Sequence, residues 1–107
     1  TGRLAVLATG DIETTGQAAV LSSGQPLAAD VLIVPHHGSA RQTGELFTAV
    51  AAPVALIGVG ENTYGHPSAT ALQLLARAGT TAFRTDTQGS LAVSVTDNGL
   101  RVTTERP

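Results

Sequence analysis

Short apolar runs recur along the chain at Leu4–Ala8, Ala29–Val34 and Val54–Val59. Each has the length of a buried strand and is too short for a buried helix. Pro35 closes the second run, since proline cannot continue a sheet ladder. The segments between them read differently. Ile12–Ser22 predicts a helix with weak apolar spacing, and Asp11 stands where an N-cap would. In Thr43–Ala51, the residues Leu46, Phe47, Val50 and Ala51 share one helical face, and Pro53 ends the segment. The loop "GENTYGHP" follows the third run. Pro67 suits the first position of the next helix, Leu72, Leu75 and Ala76 form its stripe, and Gly79 stands at its C′ stop.

Beyond Gly79 the periodicity changes from helical to alternating. Thr81–Arg84 predicts a short strand, and Leu91, Val93 and Val95 alternate with smaller or polar residues. Asn98-Gly99 predicts a two-residue hairpin turn into Leu100–Thr104. The order is β-α-β-α-β-α-β followed by a hairpin. Buried strands alternating with helices imply an α/β layered fold, a sheet covered by helices. In open sheets of this kind ligands bind beyond the carboxyl ends of the strands. The first strand starts almost at residue 1 with no lead-in, so the chain is expected to be part of something larger.

Composition narrows the chemistry. With 107 residues, 42% hydrophobic and 13% charged, the chain is globular and at most one domain. No apolar run is long enough to span a bilayer as a helix, and no targeting leader is visible. With no cysteine, disulfides and thiolate metal sites are excluded. Any metal must sit on His, Asp and Glu, the donor set of hydrolytic zinc or manganese centres. The net charge is -2, and six Lys+Arg spread thinly make no basic face of the kind nucleic-acid binding favours. If nucleic acid is the substrate, ions or other sequence must supply much of the attraction.

The candidate chemistry gathers at the predicted strand ends. Asp11 follows the first strand, His36 and His37 the second, and His66 the third. Asp11 suits a helix N-cap or a metal ligand, and the roles are compatible because a helix N-terminus favours a carboxylate. Glu13, in the first helical turn, is expected only to complement the helix dipole. Adjacent histidines point in different directions, so one of His36 and His37 suits a ligand and the other a neighbour or a substrate oxygen. Read alone, the pair also suits a surface loop. Gly38 permits a sharp turn, and Ser39 can donate to an oxyanion or cap the next helix. His66 suits either the site or an N-cap-like place before Pro67. Asn62 and Tyr64 can reach substrate or shape their loop. Arg41, the nearest fixed positive charge to the pair, can hold a phosphate or lie in solvent. Asp86 in "RTDTQG" reads as a turn residue.

Four blocks, "LATGDIE", "LAADVLIVPHHGSAR", "VALIGVGENTYGHP" and "FRTDTQGSLAVSV", together resemble the metallo-β-lactamase-like domain at the C-terminal end of ComEC-type DNA-uptake competence proteins. The resemblance runs in order over nearly the whole chain. It implies an αββα sandwich with a metal centre at one edge of its two sheets, built on Zn or Mn and, in the intact domain, on two ions. It implies that Asp11 bridges the ions, and that His37 is the ligand of the pair, because a related choline-phosphoesterase branch uses the second histidine after a similar gap. His66 is implied as a further active-site histidine touching a phosphate or a metal. The family's His-x-His-x-Asp-His type cluster has no counterpart here.

Residues 1–107 are therefore expected to be the C-terminal half of that domain, inactive alone and weak or empty in metal. The implied activity is metal-assisted phosphodiester hydrolysis of single-stranded DNA, with His36, Ser39, Arg41, Asn62 and Tyr64 toward substrate. The alternatives are a small-molecule phosphodiesterase and a non-catalytic module of the DNA channel. The implied partners are DNA and the membrane channel portion of the same polypeptide, which places the chain as a soluble domain of a bacterial membrane protein. A half-sandwich also leaves an apolar sheet face free for self-association.

Overall fold

The structure, a computed structural model, describes residues 4–107. The elements are β1 (Val6–Ala8), α1 (Thr14–Ser22), β2 (Val31–Ile33), a 3₁₀ turn (Pro35–Gly38), α2 (Gly44–Val50) and β3 (Val54–Ile57). They continue with α3 (Ala69–Arg77), β4 (Thr81–Arg84), the one-turn α4 (Thr85–Gln88), β5 (Leu91–Thr96) and β6 (Gly99–Thr104). Strands β1-β2-β3-β4 form a parallel sheet in sequence order, and β5-β6 is a separate antiparallel hairpin. The α/β layered architecture expected from the alternating runs is what the chain adopts.

Register explains the core. Leu7, Leu32, Ala55 and Ala82 stand side by side across the four strands, so their side chains share one face. With Val34 and Ile57 they meet Leu46, Phe47, Val50 and Leu75 from α2 and α3. Burying side chains of this size contributes roughly 1.5–3 kcal/mol each. The neighbouring rows, Val6-Val31-Val54-Thr81 and Ala8-Ile33-Leu56-Phe83, occupy the opposite face. Val6 there is 50% exposed. The Cα extents of 37 × 36 × 21 Å describe a slab about one sheet and one helix layer thick.

Several boundaries differ from the sequence expectation. Helix α1 starts at Thr14, so Glu13 is its N-cap residue and Asp11 lies in the turn before it. Glu13 makes no side-chain cap bond, because its carboxylate is bonded to His36. Pro67 precedes α3 by two residues. The N-cap is Ser68, whose Oγ accepts the Ala71 N–H at 3.0 Å. Ala51 is the exposed left-handed C-cap of α2 and adds nothing to its buried face. Ala76 is also exposed; Ala71 and Leu75, one turn apart, carry the buried face of α3. The hairpin loop is Asp97–Asn98, one residue earlier than the Asn-Gly signal, because Thr96 pairs with Gly99. Gly99 takes a φ of +110° inside the ladder, which only glycine accepts without strain.

Candidate functional site

The ends of β1, β2 and β3 converge on one rim. After β1 the chain turns at Gly10 (φ +64°) to Asp11. The Gly10 carbonyl accepts the His36 N–H at 2.8 Å, which ties the first strand end to the second. His36 and His37 both lie in the left-handed region, at φ 50° and 53°. For residues with a Cβ this costs on the order of 1–2 kcal/mol each, although histidine tolerates it better than most. Such strain persists only where the surroundings over-determine it.

Those surroundings are a buried amide network. Gln17, fully buried in α1, donates to Gln42 Oε1 at 2.9 Å and accepts the Thr43 N–H at 2.7 Å. Gln42 in turn donates to the Pro35 carbonyl at 2.8 Å, at the base of the turn. On the other side the Gly38 carbonyl accepts the Ser68 N–H at 2.8 Å. Gly38 has φ +78°, and a Cβ there would stand 2.8 Å from Pro67 Cβ. Only glycine lets the His36-His37 turn lie against the His66-Pro67 loop, whose joining peptide is cis.

The imidazoles are oriented by their Nδ1 atoms. His37 Nδ1 lies 2.7 Å from the Gly58 carbonyl. A carbonyl only accepts, so Nδ1 carries the proton and the neutral ring keeps its lone pair on Nε2. That Nε2 is 3.8 Å from Asp11 Oδ1, with both side chains largely exposed at 58% and 75%. His36 Nδ1 is 3.0 Å from Glu13 Oε2. The His36 ring centroid lies 6.2 Å from that of His37 and 5.6 Å from that of His66. Tyr64 stands 5.8 Å from His66 and is 83% exposed.

Two small hollows meet at His37. One, of about 190 Å³, lies against Gly10, Asp11 and Gly58. The other, of about 170 Å³, lies against Glu61, Asn62, Tyr64 and His66.

Asp11, His36, His37 and His66 therefore share one rim, and the remaining candidates divide. Asn62 shapes its loop: its amide donates to the Gly60 and His66 carbonyls and its Oδ1 accepts the Tyr64 and His66 N–H groups. Ser39 is buried, with its Oγ accepting the Arg41 N–H at 3.3 Å. It caps no helix, since α2 begins after Thr43. Arg41 is exposed, and among the described residues no hydrogen bond or ion pair links its guanidinium to the histidines. Asp86 sits in the first turn of α4 and is held by Arg84 at 3.0 and 2.8 Å. That bond keeps its carboxyl below the usual aspartate range.

Sequence reasoning missed Glu13, which orients His36 as well as starting a helix, and the Gln17–Gln42 pair. One signal was available. Gln17 lies one turn before Val20, which packs on the core, and so occupies the position of an apolar stripe residue.

Among the described residues no three His, Asp or Glu side chains come together as a metal-holding group. Asp11 and His37 supply two facing donors, and His66 stands against His36 and lines a hollow with His37. Thr9 Oγ1, just before Gly10, is buried without a partner. The residues present do not fit a complete metal centre. They offer two donors of one.

No family model matches the chain, and no solved structure matches it. Among curated proteins, the chain is 41% identical over 93 residues to ComE operon protein 3 of Bacillus subtilis (strain 168), a stretch covering 85% of this chain and 12% of that protein. It is 31% identical over 103 residues to competence protein ComA of Neisseria gonorrhoeae, covering 94% of this chain and 15% of that one. The chain thus spans under a sixth of the length of the curated relatives it matches.

Proposed function

We propose that the chain is a segment of a competence-related DNA-uptake protein, and that its histidine rim is one wall of a metal-dependent phosphodiesterase centre acting on DNA. The similarity to the two competence proteins supports the first part. The second rests on one observation. His37 donates a hydrogen bond from Nδ1 to the Gly58 carbonyl and turns its Nε2 toward the Asp11 carboxylate, 3.8 Å away. The gap is too long for a hydrogen bond, and two acceptors facing each other can share a cation. A backbone carbonyl behind the imidazole is the usual outer-shell support of a histidine ligand.

The missing donors are assigned to the rest of the polypeptide, in the manner of the first half of a metallo-β-lactamase-like sandwich. Divalent ions there would activate water near neutral pH and offset phosphate charge. This chain's own residues hold and orient. Glu13 fixes the His36 ring, and His36 and His66 stand together beside the two donors, placed to donate to a phosphate oxygen. Among the described residues no helix is long and apolar enough to cross a membrane, so attachment to a membrane channel is likewise assigned to other parts of the polypeptide.

Metal analysis of the intact polypeptide tests the reading. Stoichiometric zinc or manganese in the wild type should be lost in Asp11→Ala and His37→Ala, and labelled single-stranded DNA should be cleaved in preference to a chromogenic phosphodiester. Absence of metal from the wild type would leave the non-catalytic channel module as the correct reading. Preference for the small ester would move the substrate from DNA to small phosphodiesters. The isolated chain is expected to show no nuclease activity.

A further inference from the structure

We infer that Tyr64 is a stacking platform for an unpaired nucleobase, placed beside the histidine rim. The inference rests on the reading of that rim as part of a DNA site and adds the group recognised there. The ring is 83% exposed, yet its backbone is fixed, because Asn62 bonds to the peptide groups of Gly60, Tyr64 and His66. A large ring held open on a braced loop is pre-organised for contact, since little loop entropy remains to be lost on binding.

The hollow that Tyr64 borders also touches His37 and His66, so a base seated there lies next to the donors that would face its phosphate. The hollow holds Glu61 and no arginine, and the chain has no lysine. On the Glu61 side of the hollow a phosphate is repelled. A neutral base is not, and its face suits the phenol ring. With a net charge of -2, the chain gains little from counterion release, so stacking adds an attraction that its own charge does not supply.

In the intact polypeptide a short oligothymidylate should protect Tyr64 from nitration, and an abasic oligodeoxynucleotide of equal length should not. In polarisation measurements on the intact polypeptide with labelled oligothymidylate, Tyr64→Phe should bind like the wild type and Tyr64→Ala roughly fivefold or more weakly. Equal binding of both oligomers, unaffected by Tyr64→Ala, overturns the stacking role and leaves the DNA reading standing. Binding of neither oligomer overturns both. Protection of Tyr64 from nitration in the intact polypeptide without DNA also overturns the inference, by making the ring part of an internal interface.

Discussion

Replacing Gln17 by leucine removes the amide that braces the histidine turn while nearly keeping its volume. Two short bonds disappear, the donation to Gln42 Oε1 at 2.9 Å and the acceptance from Thr43 N–H at 2.7 Å. The contacts to the Ile12 and Arg41 carbonyls, at 3.3 and 3.4 Å, are long and count for little. Thr43 N–H and Gln42 Oε1 are left without their partner in a buried setting, at roughly 1–3 kcal/mol each. Burial of leucine in place of the amide returns about 1–2 kcal/mol. At the middle of these ranges the expected net loss is about 2.5 kcal/mol, a large share of the ~5–15 kcal/mol typical of a domain. Urea unfolding at unchanged m-value reads it directly.

The loss should be accompanied by displaced His36 and His37 imidazole resonances, because Gln42 holds the Pro35 carbonyl at the foot of their turn. A Gln17→Leu/Gln42→Leu double variant should lose less than the sum of the two single-variant losses, since the bond the two amides share is removed only once. A single-variant loss under about 1 kcal/mol with unmoved histidine signals would refute the bracing role.

Gly38→Ala forces a left-handed alanine against Pro67 Cβ. It should lower stability by about 2–4 kcal/mol in the same urea assay. Ala51→Gly relieves a left-handed residue that buries nothing, so after the entropy of the unfolded chain it should raise stability by about 0.5 kcal/mol, seen as a higher Tm. The hydrogen bond and charge of Arg84 lower the Asp86 pKa. The stability this adds is present above about pH 4 and is lost as pH falls through the folded value. Asp86→Asn should therefore unfold at lower urea near neutrality and lose less on acidification, with the two curves converging in acid.

The order of elements along the chain, the fold class and the rim's membership were legible in the sequence, because each depends on local pattern. Buried strands show as short apolar runs, and chemistry-bearing residues that follow such runs must emerge at the same edge of a parallel sheet. That alone places Asp11, His36, His37 and His66 at one rim.

Pairing within the rim depended on three-dimensional packing. Only the folded chain puts Glu13 on His36 and the Gly58 carbonyl on His37, and so turns His37 Nε2 toward Asp11. Only folding reveals that a buried glutamine pair supports the turn, because Gln17 and Gln42 meet across 25 residues. Periodicity records which side a residue faces. Which atom it meets there is decided by how the layers close, and at this rim that choice sets each imidazole's free nitrogen.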